Sequence, residues 1–502
     1  MGILHAALPV LLGVGPALAQ SPLALAYRSK EASQMAPLLT QVLRFPTVAG
    51  NEKARLEQQA WLLKTGQALG LTVREAGKVT EIELPGPTGA PVIGLVVHGD
   101  VQPVDDHWTL PPFSGEVRNG MVVGRGAADD KGPLVQALLA LKVLKDSGRP
   151  RTHTIRLLVG SDEESTNLDF AEYLKDHKAP DFSLVLDSEF PVVVGEKAWN
   201  ALTVETELKD RAPGDLKVTN LQAGLAASIV PDEAILTLGE YEHRSQGKAQ
   251  ALQEKLAKER LGPGIRVSVQ VGKEDQALRV SLHGRAAHAG VNAAGGRNAL
   301  VALANLLVDE LPAGGAKDLL AFARLAGQDL QGTGLGIATQ HLVFGFPTVV
   351  PSLLKAQPDG KVRLTINVRT TPALSGEALK AHLFKVVADF NARTGAKLEP
   401  GGFFGDTPLA FDPNGKLVKR LLASYAKATG KAAPPAISGG GTYAKRIPNA
   451  IAFGMWFPGK PYPGHDVDEQ ISLEDLHRGT EVLLEALADL AGGAPLHDPL
   501  KP

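Results

Sequence analysis

Apolar positions in the first part of the chain fall into two rhythms. Between Lys30 and Leu69 they recur every three to four residues, which predicts two amphipathic helices, the second over Glu52 to Ala68. Short runs follow at Val79 to Leu84, Pro91 to Val97, Met121 to Val123, Thr154 to Val159 and Phe182 to Leu186. Several are apolar almost without interruption, as expected of strands buried on both faces. A helical pattern over Pro133 to Lys145 lies among them, so the region is read as an α/β domain with a largely parallel central sheet flanked by helices.

The texture changes after about Glu196. Alternating runs at Val267 to Val271, Leu278 to Leu282 and Val362 to Val368 each have one apolar face, the pattern of an antiparallel sheet covered on one side. Helical patterns over Asn298 to Leu311 and Gly376 to Phe390 supply the cover. An inserted α+β domain is therefore expected over 197–398, dividing the first domain into 20–196 and 399–502. The second part continues with a helix over Pro413 to Thr429, a strand over Ala450 to Phe457 and a final helix over Leu473 to Leu490.

Composition narrows the chemistry. At 502 residues there is room for more than one core, and the charged and hydrophobic fractions, 21% and 44%, are those of an ordinary globular protein. A net charge of -2 offers no electrostatic argument for nucleic acid or an acidic membrane as partner. With no cysteine, disulfides, thiolate nucleophiles and Cys-type zinc sites are excluded, so any metal is held by His and carboxylates. Residues 1–19 lack Asp, Glu, Lys and Arg and end in Ala17-Leu18-Ala19 after a short apolar core. That is the pattern of a secretory signal peptide, which implies a periplasmic or secreted protein with no membrane anchor after cleavage.

The polar residues that close the apolar runs carry the chemistry. Val96-Val97 ends in His98-Gly99-Asp100, Leu158-Val159 leads to Asp162-Glu163-Glu164, and Leu184 to Leu186 ends in Asp187-Ser188-Glu189. Met121 to Val123 is followed by a glycine-rich turn, Gly124 to Gly132, that delivers Asp129 and Asp130 to a helix start. Alone, that turn also reads as an Asp cap with an acidic first turn. A phosphate loop fits worse, because Lys131 follows the carboxylates and no Ser or Thr comes after it. Ligands of open α/β sheets bind outside the carboxyl ends of the strands, so these groups converge on one crevice. That many carboxylates in one place repel each other unless a cation is present, and a divalent metal held by His and carboxylates meets the need.

Taken together, these stretches resemble the di-zinc peptidases that include dipeptidase V, the carnosinases, aminoacylase and succinyl-diaminopimelate desuccinylase. Further matching stretches are Trp108, Pro112-Phe113, Glu189-Phe190-Pro191, Gly195-Glu196-Lys197, Ala287-His288-Ala289, Asn367-Val368-Arg369, Gly439 to Ala444 and Phe457-Pro458-Gly459. Glu-Phe-Pro followed by Gly-Glu-Lys, with the Gly-Gly-Gly-Thr-Tyr-Ala run, is similar to the dipeptidase V branch. The resemblance implies two Zn2+, replaceable by Mn2+ or Co2+, with Asp129 bridging, His98 and Asp187 completing one site, and Glu164 and His465 the other. It implies a cis Asp129–Asp130 peptide, Glu163 as general base, and Asp100 as the acceptor that orients His98. In the inserted domain, acting as a lid, it implies His288 on the substrate carbonyl and Arg369 on the substrate's C-terminal carboxylate. Gly440, Gly441 and Thr442 would line the substrate site.

The implied activity is dipeptide hydrolysis by a protein that is complete as a monomer. Ser228 departs from the family, which has Asn before the Val-Pro-Asp that here is Val230-Pro231-Asp232. The loop after His288, Gly290 to Ala299, lacks the family's acidic or proline residues. Competing readings are a same-family amidase, carboxypeptidase or desuccinylase acting on N-acyl amino acids, and a metal-dependent solute-binding protein without turnover. Glu163 beside Glu164 speaks against the last, since binding alone has no use for a base that holds no metal.

Overall fold

The run Val92–His98 is buried on both faces: Ile93, Leu95 and Val97 enter one core and Val96 enters another. This strand sits inside a sheet ordered Thr72–Ala76, Val79–Leu84, Thr154–Gly160, Val92–His98, Phe182–Val185, Ala450–Ala452, Val193–Glu196 and Leu409–Ala410. Ala436–Ser438 pairs alongside Val193–Glu196. The middle of the sheet is parallel, from Thr154–Gly160 across Val92–His98 and Phe182–Val185 to Ala450–Ala452. Antiparallel strands flank that middle on both sides. The computed structural model describes residues 21–211, 217–239, 251–256, 262–271, 277–460, 462, 464–494, 496 and 499–500; the expected signal segment, 1–19, lies outside them.

Helix Lys131–Asp146 crosses the sheet with nearly every side chain buried, and helix Leu473–Gly492 packs beside it. Further helices are Pro22–Lys30, Met35–Leu43, Glu52–Ala68 and Lys416–Thr429. The run expected as one strand from Ala450 to Phe457 is two, Ala450–Ala452 and Met455–Trp456. Gly454 turns the chain between them at φ +73, a conformation that glycine adopts without penalty. The second piece then leaves the central sheet and pairs with Ser188–Glu189.

The inserted domain is one antiparallel sheet in the order Arg266–Val271, Leu278–His283, Glu233–Gly239, Lys217–Ala223, Thr348–Ala356, Lys361–Thr370, Ala198–Glu207 and Glu399–Gly405. It runs past residue 398, where the sequence reading ended it, because Glu399–Gly405 pairs with Ala198–Glu207. Among the described residues, Gly315–Ala326 joins the two expected helices, here Ala299–Leu307 and Gly376–Thr394, in covering its apolar face, and Leu252 and Leu256 of the helical segment 251–256 enter the same core. This core is separate from those of the first domain. Among the described residues no helix is long and apolar enough to cross a membrane.

Candidate active site

Three adjacent parallel strands end at the same edge, and the residues that follow them meet there. His98 Nε2 lies 2.9 Å from Asp129 Oδ1 and 3.8 Å from Asp187 Oδ2. Across Asp129, His465 Nε2 lies 3.2 Å from Asp129 Oδ2 and 2.9 Å from Glu164 Oε1. The two oxygens of Asp129 therefore face different histidines. His98, Asp129 and Asp187 form one group with donor atoms within 4.8 Å of one another, and Asp129, Glu164 and His465 form a second.

The charges in this buried corner do not balance without a cation. Burial pushes the carboxyl of Asp187 well above its usual range, and Asp129 and Asp130 push it further. Burial also raises Glu163 strongly, reinforced by Glu164, Asp100 and Asp129. Burial works against the charge on His98 and His465, yet Asp129 holds His98 well above its ordinary value, and Glu164 with Asp129 holds His465 at about 10. The imidazoles thus take up protons where a metal would supply positive charge.

Backbone geometry builds the corner. Gly126 takes φ +90, and a Cβ there would stand 2.8 Å from Val101 Cγ1, so the turn leading to Asp129 needs glycine. The Asp129–Asp130 peptide is cis. Asp130 occupies the cap position of helix Lys131–Asp146 but makes no cap with its side chain; its Oδ2 accepts from the backbone N–H of His98 at 3.0 Å. The simple acidic-cap explanation of this turn therefore fails. His465 sits at φ +66, a left-handed conformation that costs a non-glycine residue on the order of 1 kcal/mol or more and is kept only where the surroundings demand it.

Asp100 differs from expectation. His98 Nδ1 meets the backbone carbonyl of Asp100 at 2.9 Å, while the nearer carboxylate oxygen is 3.6 Å away. The carboxylate faces the next loop, where it accepts from the backbone N–H of Glu163 at 3.2 Å and of Glu164 at 2.9 Å. The reason is geometric: the carbonyl is within reach of the ring, which frees the side chain to hold the neighbouring strand's loop. The Nδ1–H contact leaves the Nε2 lone pair of His98 free for a metal.

The inserted domain closes over this corner. The His288 ring lies 4.4 Å, centroid to centroid, from that of His465. Its Nδ1 accepts from the backbone N–H of Gly290 and of Val291, both at 2.9 Å, so the neutral ring carries its proton on Nε2. Burial, with His465 and Arg369 nearby, holds its pKa well below the usual value. Arg369 is buried under Trp199, 5.8 Å from the ring centroid, and its Nε donates to Asn367 Oδ1 at 3.1 Å. Glu163, Glu164, His288, Arg369, Gly441, Thr442 and His465 all line one cavity of about 250 Å³.

The turn from Gly439 to Tyr443 shows what each residue does. Gly439 and Gly290 approach so closely that a Cβ on Gly439 would stand 2.2 Å from the Gly290 carbonyl. Gly440 lies against Val291 of the inserted domain and is not part of the cavity wall. The Thr442 hydroxyl donates to buried Glu196 at 2.7 Å, so it fixes the turn, and only the rest of the residue is offered to a ligand.

The chain matches the family model described as Peptidase family M20/M25/M40 over residues 94–489. It belongs to that family. Among curated M20 relatives, the putative dipeptidase YtjP of Bacillus subtilis (strain 168) is 30% identical over 441 residues, 86% of this chain and 89% of the relative. The Beta-Ala-Xaa dipeptidase of Lactobacillus delbrueckii subsp. lactis is 29% identical over 402 residues, covering 79% and 82%. Among solved structures, human carnosine dipeptidase 1 shares the fold at a TM-score of 0.59 and 13% identity, over 93% of this chain and 98% of that one. The dipeptidase Dug1p of Saccharomyces cerevisiae does so at 0.59 and 14%, over 93% and 97%. The chain is thus a dipeptidase-like hydrolase of the M20 family with an α/β domain and an antiparallel lid.

Several residues in this M20 site carried no separate role in the sequence reading. Glu469 is buried and accepts from the N–H groups of Gly126, Ala128 and Asp129 at 2.9–3.1 Å, and from Arg125 Nη1 at 2.9 Å. Gln102 Nε2 donates to Glu164 Oε2 at 2.7 Å and to Ser228 Oγ at 3.1 Å, joining the two domains at Ser228. The Tyr462 hydroxyl donates to Asp129 Oδ2. Only the four-residue offset of Glu469 from His465 could have drawn notice to it.

Proposed function

We propose that this M20 protein is a dinuclear zinc dipeptidase that works outside the cytoplasm. Asp129 carries the reading: its two oxygens are divided between His98 and His465, as a bridging ligand's would be. His98, Asp129 and Asp187 would hold one Zn2+, and Asp129, Glu164 and His465 the other, with Mn2+ or Co2+ as substitutes. When bound, such ions supply Lewis acidity toward the scissile carbonyl and lower the pKa of water.

The side chains supply the rest. Glu163 is not among the donor groups, lines the cavity and has a carboxyl raised by burial, which suits a base that takes a proton from water and returns it to the leaving amine. His288 stays neutral with its proton on Nε2, so it donates to the carbonyl oxygen as negative charge develops there. Arg369, charged at neutral pH with its pKa lowered by burial to about 10, grips the substrate's C-terminal carboxylate. A cavity of about 250 Å³ lies below the ~300–1,000 Å³ common for drug-sized ligands, which supports a small substrate.

The test joins metal analysis of the purified protein to turnover on dipeptides, their C-terminal amides, tripeptides and N-acyl amino acids. Two first-row divalent ions at the Asp129 cluster are expected, with dipeptides preferred over their amides by at least about tenfold, the ~1.4 kcal/mol that loss of one charged contact removes. Equal turnover of dipeptides and amides would remove Arg369 as the carboxylate grip. Preference for N-acyl amino acids would make the chain an amidase of the same family.

A further inference from the structure

A second His/carboxylate cluster lies away from the candidate active site, where the loop after His98 meets the lid. Asp105, His107 and Asp232 each place a donor atom within 4.8 Å of the others. His107 Nδ1 lies 3.5 Å from Asp105 Oδ2 and 3.4 Å from Asp232 Oδ2. Asp105 is already anchored, because its other oxygen accepts from the His107 backbone N–H at 3.0 Å. We propose that Asp105, His107 and Asp232 form a further divalent-cation site, one that clasps the lid to the first domain.

Distance is the first argument. A relaxed N–H···O bond measures 2.7–3.2 Å, and both separations exceed it. Ligands about 2.0–2.1 Å from a tetrahedral Zn2+ stand about 3.4 Å apart along the tetrahedron's edge, close to the separation of His107 Nδ1 from each of the two carboxylates.

Charge is the second argument. Asp232 is 9% exposed, and its carboxylate faces that of Asp105 across the His107 ring nitrogen. Among the described residues, the ion pairs of Asp105 and Asp232 within 4.0 Å are with His107 alone. Two carboxylates and an imidazole therefore converge with no Lys or Arg nitrogen of the described residues within 4.0 Å of either carboxylate. One nitrogen and two oxygens suit zinc or a neighbouring first-row divalent ion better than Mg2+ or Ca2+.

Topology gives the site its consequence. Asp105 and His107 belong to the loop leaving strand Val92–His98, while Asp232 directly precedes the lid strand Glu233–Gly239. A cation shared by both would hold the lid where His288 reaches His465.

Equilibrium dialysis of the metal-stripped full chain against Zn2+, with the bound metal counted by mass spectrometry, tests this. Wild type should bind one equivalent more than His107→Ala and one more than Asp232→Asn. The His107 side chain is 40% exposed, so its removal leaves no buried hole. Asp129→Ala should retain this equivalent while losing those of the active-site cluster, which separates failure here from failure of the dipeptidase reading. In the Asp129→Ala background, added Zn2+ should raise Tm, and the additional His107→Ala change should remove that shift. Equal metal counts in wild type, His107→Ala and Asp232→Asn would overturn the proposal.

Discussion

Glu163 and Glu164 are neighbours with different surroundings, and Asp100 sets them apart by accepting from both backbone N–H groups. Glu164 turns to His465 and Gln102, while Glu163 faces the cavity that Arg369 also lines. Glu163→Gln keeps shape and volume but removes the base. It should leave metal content and Tm near wild type while lowering kcat by about 10²–10⁴, the range of a lost general base, as read from initial rates on a dipeptide. A variant within about tenfold of wild type would assign the proton to another group. That these residues meet was legible because each closes an apolar run of the same sheet. The Asp100 carboxylate was misread, because whether a ring reaches a carbonyl or a side chain depends on local backbone path, which residue spacing does not encode. Tyr462 and Gln102 were silent for a related reason: their partners lie 333 and 62 residues away.

At the scale of elements, the turn from Gly124 to Asp130 depends on a residue far along the chain. Glu469, at the edge of strand Gln470–Ser472, neutralises Arg125 and accepts from three N–H groups of the turn. Glu469→Gln would set an amide NH2 against those donors and leave buried Arg125 without its charge partner. Breaking such a pair costs about 3–5 kcal/mol, and urea unfolding should show a loss of that order. Metal should also be held less tightly although Glu469 is not among the donors, because Asp129 is carried by this turn. The strands of the first domain were legible from unbroken apolar runs. Those of the lid were read only in part: Ala198–Glu207 and Lys217–Ala223 mix polar with apolar residues because one face meets solvent, and Gly315–Ala326 hides its helical face among alanines.

At the scale of the molecule, the question is whose lid completes the site. His288 lies 4.4 Å from His465 of the same chain, and Gly290 packs against Gly439 of the same chain, so one chain assembles every group proposed for the reaction. A site divided between subunits would need a partner to supply the lid histidine. The two arrangements differ in a mixing experiment. Glu163→Gln removes the base from the first domain, and His288→Ala removes the donor from the lid; each alone should be nearly inactive. If lids serve their own chains, co-refolding or co-expressing the two variants leaves activity at the sum of the separate proteins. If lids are exchanged, a mixed pair rebuilds one intact site, and activity rises toward about a quarter of wild type, since half of random pairs are mixed and each has one good site of two. No recovery is expected, together with a specific activity that stays constant on dilution. Recovery of wild-type-like turnover in the mixture would mean that the closed lid seen here is exchanged between subunits when the enzyme works.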